Sequence, residues 1–345
     1  MKKSLKIALL VATASAPYLC AAQADIHFSQ FYETSILRNP SLTGVFSNDF
    51  KIGGYYRNQW SSISHPFVTA LGYGEVRFPI GHYSNDYLSI GLLGVTDKAG
   101  SLNQNITSVY PALNFSKSLN TEKNTYLSVG FTAGYTQYSF DKSSVTVDNQ
   151  YQSGHYDPNN PTFENFTNTK MSMWDLGAGI NYNTSRGPAN DVTYMIGIAG
   201  YHLTQPNFSY DQTPAVNANM RWNVNGAVAF NVKDDLGFQV HTNFALQGTY
   251  MEWVTGILGT LSDENPGNKP SYAVTAGVFY RFQDAIIPVV KLRYGKTAIG
   301  VSYDVNMSTL KQASKLRGGY EITLSYSGLF GGVPGVVKKT VCPKF

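Results

Sequence analysis

Residues 55–67 read YYRNQWSSISHPF, with an arginine, an asparagine and a glutamine set between large aromatics. At period two, extended back to residue 51, the stretch separates into two faces. Ile52, Gly54, Tyr56, Asn58 and Trp60 point one way, and Lys51, Gly53, Tyr55, Arg57 and Gln59 point the other. Side chains leave a strand on alternate sides, so one face is mostly apolar and the other mostly wet. A surrounding that wants both has hydrocarbon on one side of the sheet and water or polar peptide on the other.

The alternation recurs along the chain. Leu127, Val129, Phe131, Ala133 and Tyr135 oppose Ser128, Gly130, Thr132 and Gly134; Trp174, Leu176, Ala178, Ile180 and Tyr182 oppose Asp175, Gly177, Gly179, Asn181 and Asn183. Ile299, Val301, Tyr303 and Val305 oppose Gly300, Ser302 and Asp304, and Tyr320, Ile322, Leu324 and Tyr326 oppose Glu321, Thr323 and Ser325. Such segments run to about ten residues, the length a tilted strand needs to cross a bilayer. Tyr and Trp cluster at the ends of the apolar faces (Trp60, Trp174, Tyr182, Tyr272, Tyr280, Tyr320, Tyr326), while Ala, Val, Leu and Ile fill the middles. Two aromatic levels per strand mark the two headgroup layers. A secreted β-sandwich, the competing architecture, would bury its large apolar residues and scatter its tyrosines. The pattern therefore predicts an all-β transmembrane antiparallel up-and-down barrel of about 14 strands, within a range of 12–16, spanning 49–327. The faintest segments lie between 237 and 261.

An even count puts both termini on the periplasmic side and makes the first link extracellular. SLNTEKN, TSRGPAND, VKDDLG and YGK are then periplasmic turns, and the longest link, Phe140 to Lys170, is an outer loop rich in Asn, Asp, Pro and aromatics.

Among the 345 residues, 43% are hydrophobic and only 14% charged. The start, MKKSLKIALLVATASAPYLCAAQAD, carries a basic n-region, an apolar run and small residues at 20–22, the pattern of a secretory signal peptide over residues 1–22. Removing it lowers Lys+Arg from 26 to 23 against 22 acids, so the net charge falls from +4 to +1. That balance lacks the basic surplus on which phosphate-backbone binding draws, and no nucleic acid is expected as a partner. Cys342 would be the one cysteine left, so export rests on the signal and not on disulfides. Past the signal no apolar run reaches the roughly 18 residues a spanning helix needs.

Enzyme signatures are missing. The histidines at 27, 65, 82, 155, 202 and 241 show no ligand spacing and read as turn histidines in water. There is no HExxH, nucleophile elbow or P-loop, and no metal or cofactor is expected.

Several stretches, in order, resemble the PorP/SprF family of outer-membrane proteins of the type IX secretion system of Bacteroidetes. They are ADIHFSQFYETSILRNPSLTGVF, YYRNQWSSISHPF, VTDKAGSL, HYDPNNPTFEN, HLTQPNF, VSYDVN, GGYEITLSY and the terminal CPKF. The resemblance covers essentially the whole mature chain. It implies a Sec-exported, non-enzymatic outer-membrane barrel whose partners are lipid and type IX components, among them the type B C-terminal domain of a secreted adhesin or parts of the periplasmic ring and motor. Family positions carried over are Asn39, Pro40 and Gly44; Arg57, Asn58, Gln59, Trp60, Pro66 and Phe67; Asp97 and Gly100; and Tyr303, Asp304, Gly319 and Glu321. Family members often show a histidine before that glutamate, where this chain has Tyr320.

By parity Lys51, Arg57 and Gln59 face inward with Tyr55, because a charge facing lipid near the midplane costs about 2–4 kcal/mol. Asp304 and Glu321 face inward too, and either pair with Arg57 across the seam of first and last strands or stand solvated. Residues 23–48 form a periplasmic N-terminal segment, read either as a plug that threads the lumen or meets the secretion apparatus, or as a short lead-in over the barrel bottom. The tail, 328–345, is a docking peptide or a loose end. Three functions stay open at this level: a secretion accessory, a passive diffusion channel and a rim enzyme.

Overall fold

The computed structural model describes residues 25–61, 65–80, 85–152, 154–164, 166–187, 192–211, 216–263, 271–309 and 311–330. The expected signal peptide and Cys342 lie outside the described residues.

Fourteen strands close into one antiparallel ring. In chain order these are β1 (Phe50–Gln59), β2 (Phe67–Ile80), β3 (Asp86–Ala99), β4 (Gln104–Asn120) and β5 (Thr125–Ser139). A small hairpin, β6 (Tyr151–Gln152) with β7 (His155–Tyr156), stands apart in the long link. The ring resumes with β8 (Lys170–Arg186), β9 (Val192–Tyr201), β10 (Arg221–Asn231), β11 (Leu236–Gln247) and β12 (Tyr250–Asp263). It ends with β13 (Tyr272–Arg281), β14 (Ala285–Tyr294), β15 (Thr297–Asn306) and β16 (Arg317–Gly328). Ring neighbours are sequence neighbours throughout, and β1 closes against β16 with Arg57 opposite Glu321. β11 and β12 occupy the region where the alternation is faintest.

Closure leaves no unpaired sheet edge, which is what lets β-structure sit in hydrocarbon. The alternation expected from the sequence is obeyed: Val129, Ile180 and Val301 are exposed, while Ser128, Asn181 and Ser302 are buried. Trp174, Tyr182, Tyr272, Tyr280, Tyr320 and Tyr326 are exposed as well. Trp60 departs from the pattern. It leaves β1 with a left-handed φ of 61°, is half-buried, and donates its backbone N–H to the Gly318 carbonyl. One end of the barrel carries the long links 140–169, 202–220 and 307–316, and the other carries the short turns 121–124, 232–235 and 295–296.

The lumen is filled by the chain's own N-terminal segment. Asp25 enters at the long-link end, beside residues at the ends of β9 and β11, and Asp49 leaves at the short-turn end, bonded to the Gly328 carbonyl. Between them lie three short turns: a 3-10 turn over Phe31–Glu33, one α-turn over Ser35–Arg38 and a 3-10 turn over Pro40–Leu42. The last is set by two adjacent residues. The Asn39 side chain caps it by accepting from Ser41 N–H, and Pro40, with φ already fixed, occupies the first helical position.

Apolar plug residues key into separate wall patches. Phe28 and Ile36 pack with Tyr55, Leu71 and Leu93; Phe31 and Tyr32 with Val254, Leu258, Phe279 and Ile287; Leu42 with Met195 and Ala227. Inward glycines make the room. A Cβ on Gly130 would stand 2.3 Å from the Pro40 carbonyl carbon, one on Gly179 2.0 Å from Asn39 Oδ1, and one on Gly91 2.8 Å from Ile36 Cδ1. The plug therefore touches backbone where any side chain would displace it.

Candidate functional site

The plug is held at every level by polar groups that the strands present inward. At the long-link end Asp25 accepts from Gln247 Nε2 (3.2 Å), stands 2.9 Å from His202 Nε2 and 3.5 Å from Arg221 Nη1. The other His202 nitrogen, Nδ1, lies 2.9 Å from Asp175 Oδ2. Burial opposes the charge on His202, but the two carboxylates outweigh it and push the imidazole up to about 10. Burial likewise opposes the charge on Asp25, yet His202 and Arg221 hold its carboxyl well below the usual range.

One level down, Glu321 accepts the backbone N–H of Ser29 (2.6 Å) and of Gln30 (2.9 Å), taking both oxygens for plug backbone. Ser29 Oγ donates to Asp304 (2.6 Å) and accepts from Arg281 Nη2 (2.6 Å). Arg57 stands 3.4 Å from Asp304 and 3.3 Å from Glu321, and also donates to the His27 carbonyl. Arg281 reaches Asp304 at 3.1 Å, Asp284 at 2.9 Å and Glu252 at 3.6 Å. Two guanidiniums thus face Asp304, Glu321, Glu252 and Asp284, with the plug backbone as a third party. Buried charges persist when they are paired, and each guanidinium here has at least two carboxylates, although the Nε of both Arg57 and Arg281 stays without a hydrogen-bond partner.

Below this, Glu33, 2% exposed, bridges Lys51 (2.9 Å) and Lys291. Asn39, fully buried, donates to the carbonyls of Ile180 and Ile198 and to Asn225 Oδ1, while its own oxygen caps the turn. At the short-turn end the Gly44 N–H donates to Glu75 (2.7 Å), Asn114 donates to the Thr43 carbonyl (2.7 Å), and Arg77 donates to the Phe46 carbonyl (2.6 Å). Gly44 has φ of 73°, and a Cβ there would meet Ser89 at 2.3 Å, so two constraints demand glycine.

The residues singled out from the sequence fall into groups. Asn39, Pro40 and Gly44 lie on the plug. Arg57, Asp304 and Glu321 meet around Ser29 and Gln30, so the cross-seam pairing is present. Asp97 faces inward and accepts from Thr69, opposite Arg57 on the other side of β1 (2.5 Å). Gln59 lies opposite Gly319, where a Cβ would stand 2.6 Å from the Asn58 carbonyl. Trp60, Pro66, Phe67 and Gly100 belong to the rim, Phe67 facing outward and Gly100 holding a turn with φ of 65°. Tyr303 and Tyr320 point outward, Tyr320 against Tyr56 at 6.2 Å between rings. Tyr320, where the resemblance led to the expectation of a histidine, is therefore on the outer face of the ring.

Two expectations need correction. His202 and His241 are not turn histidines in water: they are 4% and 0% exposed, the first between carboxylates and the second against Tyr32 and Phe279. Of the two readings of residues 23–48, the lead-in over the barrel bottom does not describe residues 25–44, which lie inside the ring, and with Asp25 at the long-link end, the end expected to face outward, they do not form a periplasmic segment. Sequence reasoning also left out Ser29, Gln30, Glu33, Arg281 and Lys291. Parity alone places Arg281 and Lys291 inward, but nothing periodic marks their mates on the plug.

Compared with known proteins, residues 20–326 match the profile described as type IX secretion system membrane protein PorP/SprF. The chain belongs to the PorP/SprF family. No curated protein matches it at a significant level. Among solved structures the chain is similar to the TodX monoaromatic hydrocarbon channel deltaS2 mutant, at TM-score 0.50 and 9% identity over 86% of this chain and 94% of that one. It is also similar to a Pseudomonas aeruginosa FadL homologue, at TM-score 0.45 and 11% identity over 82% and 93%. At such identities the likeness is one of barrel fold alone. A PorP/SprF chain is a membrane barrel of a secretion system, not a member of an enzyme family.

Proposed function

We propose that this PorP/SprF protein is a permanently plugged outer-membrane barrel that serves type IX secretion as a docking body. In this role it supports export or surface attachment of an adhesin carrying a type B C-terminal domain, or ties the membrane to the periplasmic ring and motor. It is delivered by Sec through a signal peptide over residues 1–22 and performs no chemistry of its own.

The observation that carries this reading is the occupied lumen. A passive diffusion channel needs a continuous wet path, whereas here the wall's Glu321, Lys51, Lys291 and Asn225 are spent on the plug and glycine backbones press against it. What remains for a partner is the rim, the long links and the outer wall. The long link is suited to contact, since it carries Tyr151, Tyr156 and Phe163 exposed on its surface.

Affinity isolation of the tagged protein from solubilised outer membranes tests the proposal. Recovery with an adhesin C-terminal domain assigns the cargo role, and recovery with ring subunits assigns the anchoring role. Recovery alone, together with steady ion conductance in planar bilayers, overturns both in favour of a pore.

A further inference from the structure

Arg38 differs from the other lumenal cations. It is 4% exposed, yet among the described residues no carboxylate lies within ion-pair distance of it. Its Nη2 donates to the backbone carbonyls of Gly226 (3.3 Å) and Thr242 (3.2 Å), and its guanidinium carbon stands 5.0 Å from the Phe31 ring centre; its Nε has no partner, as is also true of Arg57 and Arg281, so the missing carboxylate is what sets it apart. Arg57, Arg281, Lys51 and Lys291 each have at least one carboxylate. A buried guanidinium with neutral acceptors and an unsatisfied N–H is costly, and the usual resolution is a counter-charge.

The place for one is adjacent. Arg38 lines a cavity of about 20 Å³ between plug and wall, shared with Ile26, His27, Arg221, Asn243 and Glu252. That exceeds the roughly 10–15 Å³ that a single water needs, so one or two occupants of that size fit and an organic acid does not. Glu252, the acid on this wall, is paired with Arg281 (3.6 Å), and His27 stands 3.7 Å from it. Arg221, a second guanidinium, lines the same cavity, with Asp25 3.5 Å from its Nη1.

We infer that this cavity is a binding site for a single small anion of chloride size, held by Arg38 with Arg221 as a further donor. The ion neutralises the one plug cation without an acidic partner and fixes the α-turn that bears it against β10 and β11. The inference does not rest on the secretion role, since it concerns only how the plug is seated.

Bromide soaked into crystals of the wild-type protein tests it directly. An anomalous peak within contact distance of Arg38 Nε is expected, and a site that holds only water under bromide overturns the proposal. In detergent, at constant ionic strength, replacing gluconate by chloride should raise the heat-dissociation midpoint of the wild-type barrel with the logarithm of chloride concentration. Arg38→Met should lose that dependence. Equal chloride dependence in both proteins places any halide effect elsewhere and also overturns the site; the bromide experiment stands even where the variant does not fold.

Discussion

Arg57 shows how far a single position could be read. Parity on a strand puts it inside, the charge cost in lipid forbids the other face, and the same parity puts Asp304 and Glu321 inside on the last two strands. The ion pairs at 3.4 and 3.3 Å follow once the ring closes. Their third party was not legible: that Glu321 spends both oxygens on the backbone of Ser29 and Gln30 depends on a segment with no periodicity to read. Arg57→Glu removes the cation and sets a third acid beside two others. Breaking one partner out of a buried pair costs about 3–5 kcal/mol, so the heat-dissociation midpoint on gel electrophoresis should fall clearly; an unchanged midpoint would show the pairing to be idle. His202 gives a pH-dependent counterpart. Its folded pKa is raised above the unfolded 6.5 to about 10, so its contribution is complete below about pH 6.5 and is lost as pH rises through 10. The wild-type midpoint should drop over that interval by more than that of His202→Gln, which has no proton to lose. Equal slopes in the two proteins would remove the carboxylate–histidine–carboxylate latch from the account.

The same division between periodic and aperiodic sequence operates among the elements. Every ring strand was legible because one face meets lipid and the other does not, a contrast that repeats every second residue for ten or more residues. The plug has no such contrast. Its turns are three or four residues long, and the segment buries Ser29, Gln30 and Asn39 alongside Phe28 and Ile36, so hydrophobicity carries no phase. What fixes it is the set of complementary gaps in the wall. The glycines at 130 and 179 read as ordinary small lumen residues in the sequence, and only the docked plug explains why they and Gly91 have no side chain. Gly130→Ala is the sharpest probe, since its new methyl would lie 2.3 Å from the Pro40 carbonyl carbon and from Ser41 N, backbone atoms that cannot turn aside. Overpacking of this kind costs about 1–3 kcal/mol. The ring itself should still close, because the outward residues of β5 are untouched. Limited proteolysis of the purified variant should then cut within residues 36–44 while the strands stay intact, whereas a cleavage pattern identical to wild type would mean that the turn has slack to accommodate the methyl.

At the scale of the whole molecule, the path of the N-terminal segment and the sidedness of the barrel become one question. Asp25 lies at the end that carries the long links, beside His202 and Gln247, and residue 49 lies at the end with the short turns, so the chain runs the full height of the lumen before β1 begins. In membrane barrels of this kind the longer links face outward and the short turns face the periplasm. That assignment puts Phe163, 81% exposed on the long link, outside the cell, and Lys296, in a two-residue turn, in the periplasm. In a Cys342→Ser background, Phe163→Cys should react with a membrane-impermeant maleimide on intact cells, while Lys296→Cys should react only after the outer membrane is opened. The reverse pattern would invert the molecule and bring the Asp25 latch to the periplasmic side. With the expected pattern, the plug starts at the cell surface. Its lowest contacts, Gly44 with Glu75 and Arg77 with the Phe46 carbonyl, then lie at the periplasmic mouth. Ring or motor subunits pulling there would act on a segment braced along its whole length by ion pairs and glycine contacts, so load passes into the barrel wall instead of drawing the plug out.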